Sequence, residues 1–199
     1  MVDVIREQAE HSVMSMVGLD EDEDVVAPII QRSKKRSIWL GVNLITAFIA
    51  VYFIGLFEAT LQQKIALAIL MPVVASMGGI AGTQTLIIVT RCIATGRVTT
   101  ANIKALINKE VAVSGLNGII WSIVIGLITY YWFSDMLLSL IIALAIITNL
   151  VVAAFSGAFL PLLLSKLRID PALAGGVILT TITDVIGFVA FLGLASLFI

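Results

Sequence analysis

A chain of 199 residues that is 60% hydrophobic and 13% charged, with a mean hydropathy of +1.11, is too apolar for an ordinary soluble domain and reads as an integral membrane protein. Its net charge of -1 says little about partners. Cys92 is the single cysteine and His11 the single histidine, which excludes an internal disulfide and leaves a soft-metal site without ligands.

The amino-terminal segment 1–37 is polar. Val2, Ile5, Ala9 and Met16 share one face at helical spacing while Asp3, Glu7 and Glu10 point away, which predicts a short amphipathic helix ended by Gly18. The acidic run Asp20-Glu21-Asp22-Glu23-Asp24 and Pro28 suit an exposed linker, and the basic cluster Arg32 to Arg36 suits the headgroup layer. No signal peptide opens the chain, so the amino terminus is expected to stay in the cytosol.

The segment 38–199 is expected to be a membrane domain. Five apolar stretches are long enough to cross about 30 Å of hydrocarbon at about 1.5 Å per residue: Ile38–Phe57, Ile65–Thr90, Val111–Phe133, Met136–Leu164 and Pro171–Ile199. They are continuously apolar rather than alternating, so the predicted fold class is all-α with five transmembrane helices and not a barrel. Arg32, Lys34, Lys35, Arg36, Arg91, Arg97, Lys104, Lys109, Lys166 and Arg168 fall on one side of this arrangement and Lys64 on the other. The positive-inside rule then gives amino terminus in and carboxyl terminus out, in the cytoplasmic membrane.

Span two holds Pro72, Gly78, Gly79 and Gly82 with Ser76, Thr83, Gln84 and Thr85, an irregular cluster that is a candidate for a kink or local unwinding, with close helix packing of the small-xxx-small type as the alternative. In span three, Gly115, Gly118, Ser122 and Gly126 mark a face for close backbone packing. Asn149 and Ser156 share a face of span four and either line a path or hydrogen-bond a neighbouring helix, with packing the favoured reading.

Span five carries Asp184 near its centre, with no lysine, arginine or histidine inside any span to neutralise it. An intramembrane carboxylate is costly and usually marks an ion or proton path. Gly176, Thr180, Thr183, Asp184 and Gly187 fall in one stripe, opposite Ile178, Ile182, Val185 and Val189. Carboxylate, hydroxyl and carbonyl oxygens are hard ligands, suited to magnesium, calcium or manganese. A symmetric dimer would bring two Asp184 carboxylates to one axis and match a +2 charge. Proton- or sodium-coupled transport through Asp184, and a non-transporting scaffold, are the other two classes these residues admit. No nucleophile, base and oxyanion donor assemble, so no enzymatic activity is expected.

The segment Pro72 to Gln84, with Met77-Gly78-Gly79 and then Ala81-Gly82-Thr83-Gln84, and the segment Asp170-Pro171-Ala172-Leu173-Ala174 leading to Thr180-Thr181-Ile182-Thr183-Asp184, resemble the two signature regions of MgtE magnesium channels. The resemblance implies a homodimeric, magnesium-selective channel admitting hydrated Mg2+ to the cytoplasm through a pore near the dimer axis. It implies Asp184 as the main ion-binding carboxylate, with the Thr180 carbonyl, Gly176 and Gly82, Thr83 and Gln84 along the path. Ile80 stands where the family often has asparagine. The helical and paired CBS domains common in the family have no counterpart in these residues, so nothing about feedback gating by them follows from this sequence.

Overall fold

The computed structural model describes residues 29–97, 102–167 and 171–199. The expected amino-terminal helix, the acidic run Asp20 to Asp24, Arg168 and Asp170 lie outside the described residues. Those described form α1 (Ile29–Gly55), α2 (Glu58–Gln63), α3 (Ile65–Ala94), α4 (Ile103–Phe133), α5 (Met136–Lys166) and α6 (Pro171–Phe198), with no strand among them. All but α2 are long and apolar enough to cross a membrane. α1 begins ahead of the basic cluster, so residues 32–36 ride on the same helix as the first span.

α5 is the hub, packing against α3, α4 and α6; α6 also packs against α3 and α1. Leu67, Leu70 and Val74 of α3, Leu138, Ile142 and Ile146 of α5, and Phe191 and Leu192 of α6 form the main buried cluster. Lipid tails are as apolar as these side chains, so tight contact and cross-helix hydrogen bonds, rather than expulsion of water, hold such helices together.

Small residues supply that contact. Gly118 of α4 lies on the backbone of Ile147, where a Cβ would be 3.3 Å from its Cα, and Gly126 lies on the Ser139 carbonyl at 3.5 Å. Ser122 is buried between them, so the face expected to pack closely does so there, whereas Gly115 meets nothing within 4 Å.

α3 packs closely rather than unwinding. Despite Pro72 and its three glycines, it is a continuous helix of 30 residues with no unwound segment. Gly78 and Gly82 receive neighbouring helices instead of breaking their own. A Cβ on Gly82 would lie 3.1 Å from Leu179 of α6, and one on Gly78 would lie 2.3 Å from Nδ2 of Asn149.

The ends away from Lys166 are tied together. Ser134 closes α4 in the left-handed region (φ 52°), and Asp135 then caps α5 by accepting the Leu138 N–H at 3.0 Å. The same carboxylate takes an ion pair from Lys64, which joins α2 to α3. Through this hydrogen-bonded ammonium, and the cap, the Asp135 carboxyl is held below the usual carboxylate range.

Candidate functional site

α3 and α6 run in opposite directions and interlock at four-residue steps. Leu86 of α3 sits where a Cβ on Gly175 would be 3.0 Å away, Leu179 of α6 fills the space over Gly82, and Val74 lies 3.1 Å from the Cβ position of Gly187. Each contact pairs a glycine on one helix with a branched residue on the other. The same step carried through places Gly78 opposite Thr183.

This seam decides where each candidate residue points. Gly82 is buried in it, and Thr183 is 0% exposed, its hydroxyl donating to the Thr180 carbonyl at 3.0 Å. The residue after a seam position is turned by about 100°, and because the two chains run oppositely it swings to the same flank on both helices. That flank carries Gly79 and Thr83 from α3 and Gly176, Thr180 and Asp184 from α6. α5 covers the other flank, with Gly157 pressed on Gly82 and Thr85.

The first flank is open. Thr83 and Thr180 are exposed, Gly176 and Asp184 are half-buried, and nothing lies within 4 Å of a Cβ on Gly79. Gln84 is also exposed but stands about 200° around α3 from Gly82, turned away from α6. The structure thus brings Asp184, Thr180, Gly176 and Thr83 together on one face, sets Gly82 and Thr183 into the seam behind it, and leaves Gln84 on the far side of α3. Gly79 shares this face; without a side chain it gave no polar signal in the sequence.

The hydrogen bonding of this face is one-sided. The Thr83 hydroxyl donates to the Gly79 carbonyl at 2.8 Å and the Thr180 hydroxyl to the Gly176 carbonyl at 2.9 Å. Both donors are spent on their own helix, so what each hydroxyl still offers outward is lone pairs. The Thr180 carbonyl takes the Thr183 hydroxyl besides the backbone N–H that helical geometry gives it, and so has little left for a ligand. Among the described residues no hydrogen bond or ion pair reaches the Asp184 carboxylate, and no three His, Cys, Asp or Glu side chains gather into a metal cluster. The face offers a single carboxylate and acceptor oxygens.

Behind it stands Asn149, 0% exposed, whose Nδ2 donates to the Val74 carbonyl at 2.8 Å across the α3–α5 contact. Of the two roles the sequence left open for it, it takes the interhelical one.

Five membrane-length helices, with a carboxylate and acceptor oxygens on an open midspan face, define a polytopic membrane protein built around a polar helix pair. The family model of MgtE, a divalent cation transporter, matches residues 71–194. The chain belongs to the MgtE family. It is 30% identical over 199 residues to a magnesium transporter MgtE of Bacillus subtilis, and 27% identical to proteins of that name from Enterococcus faecalis and Thermus thermophilus. These alignments take in 99–100% of the chain but 44% of each relative, so the chain spans less than half the length of the curated relatives it matches.

Proposed function

We propose that this chain is the membrane part of a magnesium transporter in which hydrated Mg2+ enters the cytoplasm through a pore at a homodimer axis, with Asp184 as its main ion-binding carboxylate. The observation that carries this reading is the face of Asp184, Thr180, Gly176 and Thr83, whose free valences are acceptors. The waters around a cation point their hydrogens outward and need acceptors, and Mg2+ gives up those waters reluctantly. Thr83 and Thr180 are suited to accept from the shell while Asp184 supplies charge. Gly176 and Gly79 keep the passage wide, and Gly82 and Thr183 hold the two helices in place behind it.

A polar face at membrane depth needs a partner other than lipid. A second copy meets that need by symmetry and adds the second carboxylate that balances a +2 ion. With the amino terminus inside, the membrane potential drives entry, worth about 4.6 kcal/mol per 100 mV for a divalent cation.

The test is Mg2+ uptake into liposomes carrying the reconstituted chain. Asp184→Asn is expected to lower flux at least about tenfold, or about 1.4 kcal/mol, while the protein remains folded and dimeric. Undiminished flux in that variant removes the proposed role. Flux driven by voltage alone supports a channel, and flux that requires an opposing proton or sodium gradient would replace it with a coupled carrier.

A further inference from the structure

The Asn149 carboxamide is wedged between two glycines on two helices: a Cβ on Gly78 of α3 would lie 2.3 Å from its Nδ2, and one on Gly187 of α6 would lie 2.6 Å from the same atom. Its Nδ2 donates to the Val74 carbonyl at 2.8 Å, while its Oδ1 is buried with no hydrogen-bond partner. The amide cannot turn over to relieve that oxygen, because the turn would set Oδ1 against the Val74 carbonyl. A buried polar group so poorly satisfied is costly. Leucine has the same branched heavy-atom skeleton and lacks that unpaired oxygen, so the particular contribution of an amide here is its hydrogen bond. What the amide supplies is one directional bond that fixes the height of α3 on α5, at the level where α6 also seats on it.

Gly78 directly precedes Gly79, and Gly187 lies three residues beyond Asp184. The wedge is therefore immediately behind the open face. We propose that Asn149 is a positioning residue of that face, setting the separation and relative height of α3 and α6 and through them the spacing of Thr83 from Asp184. This rests on the reading of the face as a magnesium path. Asn149 touches no ion; it acts through the two helices that do.

The experiment uses the full chain in liposomes and compares the native protein with Asn149→Leu, Gly187→Ala and, as control, Asp184→Asn. It reads the Mg2+ concentration at half-maximal flux and the Mg2+/Ca2+ flux ratio, both per folded protein, alongside thermal stability. Asn149→Leu is expected to raise the half-saturating concentration about three- to tenfold, the range of one interhelical hydrogen bond, and to lower the ion ratio. Gly187→Ala keeps the amide but displaces it, and is expected to move the same two quantities in a chain that still carries Asn149. A merely structural role would change thermal stability and leave both quantities as in the native chain, and that result overturns the proposal. If Asn149→Leu does not fold, Gly187→Ala decides by the same two readings. Native flux that is absent, or indifferent to Asp184→Asn, defeats the magnesium path and this inference with it; native flux that depends on Asp184 but ignores both seam variants defeats the inference alone.

Discussion

Gly157 of α5 lies so close to the Gly82 carbonyl of α3 that a Cβ on it would be 2.5 Å from the oxygen, with Thr85 Cβ at 3.0 Å and the Leu86 nitrogen at 3.3 Å. Two of those three obstacles are backbone, which cannot rotate aside. Gly157→Ala is expected to cost about 1–3 kcal/mol and to lower the Tm in detergent. Gly79→Ala, three residues from Gly82 but facing open space, is expected to leave the Tm unchanged or raise it, since alanine is the better helix former. Equal behaviour of the two variants would contradict the contact.

Thr180 and Thr183 separate the proposed ion path from seam packing. Valine matches threonine in shape and removes only the hydroxyl. Thr180→Val takes an acceptor from the open face and is expected to reduce Mg2+ flux several-fold in liposomes. Thr183→Val loses a hydroxyl that serves its own backbone inside the seam, and flux is expected to stay within about twofold of native. A large loss in Thr183→Val would mean that this hydroxyl reaches the ion after all.

The Lys64–Asp135 pair predicts a pH dependence of stability. A carboxyl depressed in the folded chain contributes stability that is fully present above its unfolded value, about 3.9, and is lost as pH falls through the folded value. Asn remains a good helix cap, so Asp135→Asn isolates the charge: it is expected to destabilise modestly at pH 7, by no more than about 1 kcal/mol for a partly exposed pair, with the gap to native closing as pH drops below about 4. Asp135→Ala also loses the cap and should cost about 1 kcal/mol more at neutral pH. Chemical unfolding in detergent at pH 7, 5 and 3.5 reads both effects, and a gap that widens toward low pH would reverse the sign assigned here.

The five spans were legible because membrane thickness imposes a length that few other constraints mimic, and Asp184 drew notice because it is a single charge in an apolar run. α2 was not. Six residues carry no readable period, and it is the ion pair of Lys64 with Asp135 that fastens the end of this segment. Nor does the stripe on α6 reveal which of Thr180 and Thr183 faces outward, because both fall within its width; the partner helix decides, through a seam that passes over Leu179, Thr183 and Gly187 in steps of four. The glycines of α3 left two readings open for the same reason. Glycine in a span signals either a break or a close neighbour, and Leu179 and Asn149, distant in sequence, turn it into the second.

The interlock of α3 with α6 has a mechanical consequence. Because Gly175, Gly82 and Gly187 each hold a branched tooth from the opposite helix, sliding one helix along the other would force all three teeth out at once. The pair is keyed against axial sliding by these three contacts. In the proposed passage, widening or narrowing would then fall to movement of this helix pair against whatever faces its open flank.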